Sequence, residues 1–589
     1  MSMPQQKDKF TPELRILAAS LLSMAVILVW AKYFAPKPPV AQPQANRPAI
    51  SAAATPSSMA GTPAPAAANS AQLAAATGVP VVATVPVIAT KADTQERLIV
   101  IENDLYRVEI SNRGAVVKSW QLKKYLDDSK PQKVLDVVHP AAAEQTGGWP
   151  FALVLDDEQL ETAANTGLYQ STSSATLKAP ADADFVWSNG HLEITKHFHF
   201  DHTYVVRVET SATLDGKPIL AGLGWLGGFG DLTVSNPAPA ETVNTFYSEG
   251  GKITTLAHKK LDTLDVVGRA VWRGGKDFAG IEDRYFTAAF LPPNGAAPGT
   301  LETRYWKTNR TVQVSGQDTQ EPVAEVATAN SGQPMALRVY VGPKDYDDLK
   351  KMNPPLHGLV NFGWLEFIAD PLFHALKWIH NYIPNWGWAI VVLTLLINML
   401  LFPLRISSYK TTLKMQRVAP EIKSIQDRYK KYKLNDPKKQ EMNKEVMAIY
   451  SREGINPVGG CFQMFLQMPI WIGLNTALRY AIEMRHAVWF GWITDLSARD
   501  PYFILPVLMG GSMYLVSKMT PMTSTDPQQQ MMMKIMPISM AGIFMISPIS
   551  SGLAVYILTS SVVGIGQQWY LNRTHPVVIP AKIVKGKKS

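Results

Sequence analysis

Five apolar stretches follow one another between Trp386 and Leu571, and three of them carry polar side chains at helical spacing. On the first stretch Thr394 and Asn398 are one turn apart, and Arg405 follows seven residues later. Residues at these spacings share one face of a helix, so they form a polar stripe. Hydrocarbon offers such a stripe no hydrogen-bond partner, and an arginine at mid-membrane costs about 3 kcal/mol. The stripes therefore predict a water-accessible cavity between membrane helices.

The other two stripes lie on the second and the last stretch, and the last includes Gln567 as well as two candidate cavity residues. Arg479 closes the stripe on the second stretch. The residues that we expect to line the cavity, called the groove residues below, are Thr394, Asn398, Arg405, Gln463, Gln467, Asn475, Tyr556 and Ser560.

The overall composition indicates a chain with both a soluble part and a membrane part. With 589 residues, of which 46% are apolar, it is too long for one soluble domain and too polar to lie in a membrane throughout. The single cysteine, Cys461, excludes an intrachain disulfide. The net charge of +9 is concentrated in particular loops and is not interleaved with aromatic residues, which argues for membrane topology rather than nucleic-acid binding.

The N-terminal part predicts an anchor and a tether. Lys7 and Lys9 precede an apolar run over 16–31, which suits either a signal peptide or a membrane anchor. We expect an uncleaved anchor, because the run exceeds a usual signal core and no small-x-small cleavage site follows it. The Ala- and Pro-rich segment after it lacks the apolar residues needed for a core, and it predicts a disordered linker.

Residues 95–345 predict a mostly antiparallel β-sandwich. Tyr106, Val108 and Ile110 alternate with polar residues, and similar strands are expected from Phe198 to Val208 and from Ala336 to Val341. The histidines within this domain, His197, His199 and His202, have Asp201 as their only carboxylate at ligand spacing, so a solvated strand face is expected rather than a metal site.

The region after residue 355 predicts helices: an aromatic-rich amphipathic helix at the membrane interface, five spans and a basic helical hairpin. The positive-inside rule places the hairpin, the N-terminus and the basic tail in the cytoplasm. The predicted order is 1–13 cytoplasmic, 14–34 anchor, 35–94 linker, 95–345 β-domain, 356–384 interfacial helix, 386–407 span, 410–455 hairpin, 461–482, 502–519, 531–547 and 552–571 spans, and 572–589 tail.

Several ordered motifs give the helical region a family resemblance. They are the segments Asn456–Cys461 (NPVGGC), Gln467–Ile470 (QMPI), Asp500–Tyr502 (DPY), Thr525–Pro527 (TDP) and Ser551–Leu553 (SGL). With them the chain resembles the YidC/Oxa/Alb family of membrane-protein insertases, in its long Gram-negative form. The resemblance implies a mixed membrane protein with six transmembrane helices, a periplasmic β-supersandwich, an interfacial helix and a cytoplasmic helical hairpin. It also implies a groove that opens to cytoplasm and lipid but not to the outside.

One position departs from the family pattern. The family usually has an arginine about four residues before the aromatic-Pro-Leu motif, and here Asn398 stands in that place before Phe402. Arg405 lies about 10.5 Å further along the helix at 1.5 Å per residue. Either Arg405 reaches back into the groove, or the groove is polar without a fixed central charge.

The resemblance implies a protein that inserts and helps fold integral membrane proteins in the inner membrane, without nucleotide hydrolysis, enzymatic activity or a cofactor. The sequence Gly250-Gly251-Lys252-Ile253 is not a phosphate-binding loop. Trp471 and Phe544 are candidate contacts for a substrate helix that slides past the spans. Partners expected are nascent membrane proteins, membrane lipids and, as candidates, the Sec translocon, the ribosome and the signal recognition particle, with no specific nucleic-acid sequence. The candidate cytoplasmic docking residues are Lys423, Arg428, Lys430 and Lys431.

Two other classes of protein stay open at this point. A polytopic transporter with a periplasmic binding domain predicts paired charges or a repeat of the spans, and neither is found in the sequence. A membrane-anchored enzyme predicts a catalytic constellation in the β-domain, where no acid pair, triad or metal spacing stands out.

Overall fold

The computed structural model describes residues 90–231, 233, 243–257, 261, 271–314, 317–332, 334–432, 436–455, 459–521, 527–547 and 549–576. The predicted anchor over 14–34, nearly all of the linker and most of the basic tail lie outside the described residues. A β-rich domain comes first along the chain, and a helical region follows it.

The β-rich domain contains long alternating strands whose inward residues form its core. In Leu192–Phe200, for example, every second side chain is buried, as expected for a strand with one solvated face. The described strands are β1 Leu98–Glu102, β2 Tyr106–Ser111, β3 Val116–Leu126, β4 Val134–Asp136, β5 Ala152–Val154, β6 Thr176–Lys178, β7 Ala181–Ser188, β8 Leu192–Phe200, β9 Val205–Leu214, β10 Lys217–Pro218, β11 Gly222–Trp225, β12 Asn244–Glu249, β13 Lys252–Ala257, β14 Arg273–Lys276, β15 Phe278–Glu282, β16 Phe286–Leu291, β17 Leu301–Val314, β18 Gln317–Asn330 and β19 Met335–Pro343.

These strands form three sheets. Their orders are β4-β3-β2-β1-β6, then β13-β12-β15-β16-β19-β9-β8-β7 with β10 paired to β9, and β14-β17-β18-β11-β5. The pairing of β1 with β6 is parallel. Strands β7, β8 and β9 form an antiparallel meander without a bulge, in which Ala181 lies opposite Phe200. The predicted β-rich fold is confirmed, and aromatic side chains such as Trp120, Phe151 and Trp225 fill its centre.

One predicted strand is wrong. The stretch from Phe198 to Val208 is two strands, because β8 ends at Phe200 and β9 begins at Val205. Asp201 makes the turn between them, with its Oδ1 atom accepting a hydrogen bond of 2.6 Å from the backbone N–H of Thr203. An aspartate side chain that accepts from the backbone two residues on offers an alternative to strand pairing. The alternation of apolar and polar residues does not reveal such a turn.

The two strand histidines lie on the outer face of β8 and pair with aspartates on β7. The Nδ1 atom of His197 is 2.6 Å from Asp184 Oδ1, and the Nδ1 atom of His199 is 2.6 Å from Asp182 Oδ1. The antiparallel pairing of β7 with β8 places these carboxylates opposite the histidines. Spacing along the chain does not reveal these pairs.

A buried lysine crosses the core of the β-domain. Lys196 is 1% exposed, and its Nζ atom donates to the backbone carbonyl oxygens of Gly114, Ala115 and Phe151 at 2.8, 3.1 and 2.8 Å. An ammonium group has three donors, so this arrangement satisfies it fully. Burial lowers the pKa of Lys196 to about 7.

The helical region begins with an amphipathic helix. The described helices are α1 Pro140–Thr146, α2 Glu158–Thr166 and α3 Tyr346–Lys350 in the β-domain, then α4 Glu366–Tyr382, α5 Trp386–Arg428, α6 Pro437–Arg452, α7 Gly459–Tyr480, α8 Ile504–Met519, α9 Pro527–Ile546 and α10 Ser551–Thr574, with 3-10 turns at His357–Leu359, Gly363–Leu365 and Ile482–Met484.

Helix α4 has two different faces. Phe373, Leu376 and Ile379 are buried, whereas Phe367 and Trp378 are exposed. The exposed aromatic face suits the interface between lipid and water. Next to it, Lys377 bridges Asp347 at 2.7 Å and Glu483 at 2.8 Å, which ties α4 to the β-domain and to the segment after α7.

Helix α5 is one continuous helix of 43 residues. The sequence predicts a span ending at 407 and a separate hairpin helix from 410, but no glycine or proline stands between them, and the helix continues. Helix α6 packs back on the end of α5 through the predicted apolar seam, which includes Val418, Ile422, Ile425 and Ile449. Among the described residues, α5 alone combines the length and apolar composition needed to cross a membrane, and Ile504–Met519 and Ile535–Ile546 are apolar but shorter.

Candidate polar groove

Helices α5 and α10 position most of the groove residues. The carboxamide oxygen of Asn385 accepts a hydrogen bond from the backbone N–H of Trp388 and so caps α5, and Ser550 caps α10 in the same way through Leu553. Each cap satisfies a backbone N–H group at the start of its helix, which otherwise has no partner within the helix. The two helices run parallel, because positions 398, 405 and 409 of α5 contact positions 560, 567 and 572 of α10, in the same order.

Asn398 lies at the centre of this helix pair. Its Nδ2 atom donates to the backbone carbonyl oxygen of Thr394 at 2.8 Å and reaches the Oγ atom of Ser560 at 3.4 Å. Thr394 is fully buried, and its hydroxyl donates to the carbonyl oxygen of Ile390 at 2.6 Å. Thr394 is therefore satisfied within its own helix, whereas Asn398 and Ser560 face each other across the interface.

Arg405 joins the two helices two turns further on. Its Nη1 atom donates to Gln567 Oε1 at 2.7 Å, and its Nη2 atom donates to the carbonyl oxygen of Gly564 at 3.3 Å. A Cβ atom at position 564 would lie 3.4 Å from Arg405 Nη1, in van der Waals contact with the guanidinium. Gln567 in turn donates from Nε2 to the carbonyl oxygen of Asn398 at 3.2 Å. The guanidinium of Arg405 thus lies beside Gln567 and Gly564, and the link to Asn398 is made by Gln567.

Helix α7 brings a third set of polar residues to α10. Gln467 is half-buried and hydrogen-bonds the side chain of Tyr556, which is 2% exposed. Tyr556 is one turn before Ser560, so the contacts of α5 and α7 lie on neighbouring positions of α10. Asn475 is half-buried two turns beyond Gln467. The side chain of Gln463 lies outside the described residues.

Arg479 lies at the C-terminal end of α7, next to the β-domain. Its backbone carbonyl oxygen accepts a hydrogen bond of 2.8 Å from Arg284 Nε of the β-domain. The structure thus separates Arg479 from the cluster of Asn398, Arg405 and Ser560, although all four residues belong to predicted polar stripes.

The chain is similar to known proteins along nearly its whole length. Residues 98–375 match the family described as the YidC periplasmic domain, and residues 378–577 match the family described as 60Kd inner membrane protein. The membrane protein insertase YidC of Syntrophus aciditrophicus (strain SB) is 30% identical, over 95% of this chain and 99% of that protein. The chain belongs to the YidC family of membrane protein insertases.

A second insertase relative agrees with this assignment. The membrane protein insertase YidC of Burkholderia multivorans is 32% identical over 87% of this chain and 91% of that protein. A crystal structure of an active YidC insertase with its first transmembrane domain is 19% identical over 82% of this chain and 95% of that one, with a TM-score of 0.34. The family resemblance inferred from the motifs is confirmed, and with it an inner-membrane protein that has a periplasmic domain and a non-enzymatic role.

The two residues predicted to contact a sliding substrate differ in position. Trp471 is half-buried on α7. Phe544 is 8% exposed and faces a small enclosed cavity with Pro506 and Met509 of α8, so it does not lie on the outer surface. The prediction of an outward-facing Phe544 is wrong, because the polar residues of α9 lie in its first two-thirds and the last turns, from Met540 to Ile546, are apolar on every face. Ile543, Met545 and Ile546 are exposed apolar residues at this end of α9.

The four predicted docking residues lie on the exposed surface where α5 ends. Lys423, Arg428, Lys430 and Lys431 are all exposed, and Arg428 forms an ion pair of 3.3 Å with Glu445 of α6. Arg428 therefore also links the two helices of the hairpin.

Several groove contacts were not predicted. Gly564 accepts from Arg405, and the Tyr409 hydroxyl donates to Asn572 Oδ1 at 2.8 Å. A signal for such pairs exists in the sequence: Gln567 follows Ser560 by seven residues, as Arg405 follows Asn398, so parallel helices in register bring both pairs together.

Proposed function

We propose that this YidC-family chain inserts membrane proteins by accepting a polar segment of the substrate in the groove between α5, α7 and α10. The observation that carries the proposal is the hydrogen-bonded connection from Asn398 through Gln567 to Arg405. It places donors and a cation within a helix pair whose flanking residues, such as Met399 and Leu400, are exposed and apolar.

The groove lowers the cost of moving a polar segment. A charged side chain at the bilayer centre costs about 3 kcal/mol on insertion scales, and a peptide group without a partner in hydrocarbon costs several more. Polar side chains that admit water partway into the membrane shorten the apolar distance. The substrate helix then enters lipid with the burial of its own apolar surface as the driving force, and no nucleotide is needed.

The proposed topology has six spans with both ends in the cytoplasm. It rests on α5 as a clear span, on the apolar helices α7 to α10 and on the anchor that the sequence predicts at 14–34. The basic exterior of the hairpin supports its cytoplasmic location, since loops rich in lysine and arginine stay inside. The periplasmic domain then lies on the other side of the membrane.

A substrate helix is proposed to slide along the outside of α7 and α9. Trp471 remains a proposed contact, and the exposed side chains of Met536, Ile543 and Ile546 provide the apolar surface on α9. Flexible methionines adapt to substrates of different shape.

The hairpin is proposed to receive the ribosome or the signal recognition particle through the phosphates of their RNA. Lys423, Lys430 and Lys431 are exposed cations on one end of the hairpin. Binding to anionic lipid headgroups would use the same charges. Measuring salt-dependent binding to ribosomes and, separately, to anionic lipid vesicles distinguishes the two targets. A Sec translocon as a partner is a proposal that rests on the family alone.

Water accessibility tests the groove directly. Cysteines are placed singly at Thr394, Asn398, Gln467 and Ser560 in a chain whose Cys461 is replaced by alanine, and they are labelled in intact membranes by a charged maleimide. We expect labelling from the cytoplasmic side at Asn398 and Ser560, in contrast to Leu396 on the lipid-facing side of α5. Failure of all four positions to react, in a chain that still inserts substrates, would contradict a hydrated groove.

A further inference from the structure

Three side chains with metal-binding atoms converge where the β-domain meets the segment that joins α7 to α8. Asp128 lies in the turn between β3 and β4, and His486 and Asp495 lie in the joining segment. His486 Nε2 is 2.7 Å from Asp128 Oδ1 and 3.9 Å from Asp495 Oδ2. One ligand atom from each of the three lies within 4.8 Å of the others.

The charges around this cluster favour a cation. Arg485 is buried and pairs with Asp231 at 2.5 Å, while its distance to Asp128 is 3.7 Å. Asp128 and Asp231 face the guanidinium, and Asp495 adds a third carboxylate on the other side of His486, so the group carries two negative charges in excess when the imidazole is neutral. A divalent cation would neutralise this excess.

The ligands are held in place by their own backbone interactions. His486 has a φ of 55°, a left-handed conformation that costs a non-glycine residue about 1–3 kcal/mol, and its imidazole contacts Asp128. The Oδ1 atom of Asp495 accepts from the backbone N–H of Ser497 at 2.7 Å, so its Oδ2 atom is the one directed to the cluster. A strained histidine beside oriented carboxylates is expected where a ligand repays the strain.

The distances fit a small tetrahedral ion. Zn²⁺ binds histidine nitrogen and carboxylate oxygen at about 2.0–2.1 Å, which holds tetrahedral ligand atoms about 3.3 Å apart. The 2.7 Å and 3.9 Å separations therefore each need to change by about 0.6 Å, within the reach of side-chain rotation.

We propose that Asp128, His486 and Asp495 form a site for a divalent transition metal of the Zn²⁺ class, with water or the amide of Gln132 in the fourth position. The Gln132 Nε2 atom is 3.4 Å from His486 Nε2, and rotation of the amide presents its oxygen instead. The ion would join two segments that are 358 residues apart in sequence and so fasten the periplasmic domain to the helical region. This inference does not depend on the proposed groove.

The test is Zn²⁺ binding to the full-length chain without a histidine tag, stripped with chelator and titrated in detergent by competition with a chromophoric chelator. We expect the wild-type chain to bind one equivalent more than His486→Asn, because asparagine tolerates the left-handed backbone but removes the imidazole. Asp495→Asn is expected to weaken the same equivalent at least tenfold, since it removes the charge of one ligand.

A matched control is His191→Asn. His191 forms a similar pair with Asp215, at 2.8 Å, on an exposed hairpin, so its loss should leave the number of bound Zn²⁺ ions unchanged. Equal binding by wild type, His486→Asn and Asp495→Asn, all eluting as the same monodisperse species, would overturn the proposal and leave the cluster as an ion-pair junction. If His486→Asn elutes as aggregate, the decision rests on Asp495→Asn in the same way.

Discussion

Arg405 and Gln567 connect two helices through a hydrogen bond of 2.7 Å, and the same glutamine holds the backbone carbonyl oxygen of Asn398. One side chain of α10 thus links Asn398 to the cation two turns away. The guanidinium of Arg405 is held by Gln567 and by the carbonyl oxygen of Gly564, and the proposed groove would present this charge to a substrate.

The polar groove is expected to matter most for substrates with charged translocated tails. Replacing Asn398 and Gln467 together by leucine removes hydrogen-bonding groups from α5 and α7, and we expect insertion of such substrates to fall about tenfold, which corresponds to roughly 1.4 kcal/mol in the barrier. Short neutral tails should be affected less. Protease protection of substrates inserted into proteoliposomes measures this, with Met399→Leu, an exposed neighbour, as the control. Equal losses for both substrate classes would count against the groove.

Arg405 is expected to act through both its charge and its shape. Arg405→Ala should slow insertion of substrates with acidic tails more than that of substrates with neutral tails, because the cation is lost. Arg405→Lys should restore part of the rate, since lysine keeps the charge but not the paired contacts with Gln567 and Gly564. The rates are measured in the same insertion assay, and an alanine variant with wild-type selectivity for acidic tails would refute this role.

Lys196 is expected to make the stability of the β-domain depend on pH. Its pKa is about 7 in the folded chain against 10.5 for an unperturbed lysine. Between these values the unfolded state binds the additional proton, so the free energy of unfolding should rise with pH, by at most about 1.4 kcal/mol per unit, and this gain should be absent below pH 7.

The measurement is denaturant unfolding of the full chain, followed by hydrogen exchange of β8 and β9, from pH 6.5 to 9.5. Lys196→Met should lower stability by about 1–3 kcal/mol, because it leaves three buried carbonyl oxygens without a donor, and it should flatten the pH dependence. Lys124→Met, on an exposed lysine of β3, is the control. An unchanged slope in Lys196→Met would assign the pH dependence to other groups.

The exposed lysines of the hairpin are expected to bind ribosomes electrostatically. Reversing Lys423, Lys430 and Lys431 to glutamate should weaken ribosome binding by at least tenfold at low salt, while Arg428 keeps its ion pair with Glu445. Affinity of the unmodified chain should fall steeply as salt is raised from 50 to 200 mM. Cosedimentation measures both effects, with Lys124→Glu in the β-domain as the control. Binding that is insensitive to salt would exclude phosphate contacts as its basis.

Local sequence patterns predicted much of this fold for a clear physical reason. Alternation of buried and exposed residues depends only on neighbouring positions, so strands such as Tyr106–Ser111 and the seam between Val418 and Ile449 follow from the chain itself. Where a polar side chain bonds the backbone two residues on, as Asp201 bonds Thr203, the same patterns fail. They also do not show which side of an apolar helix end packs inward, as at Phe544.

The sequence by itself determined that polar residues share helix faces within apolar stretches, because helical periodicity is a property of the chain. Only the tertiary structure decided which faces meet. The parallel register of α5 and α10 sets Arg405 against Gln567, strand pairing sets His197 against Asp184, and docking of the β-domain sets Asp128 against His486. These pairs are distant in sequence, and their partners are selected by packing that no local pattern encodes.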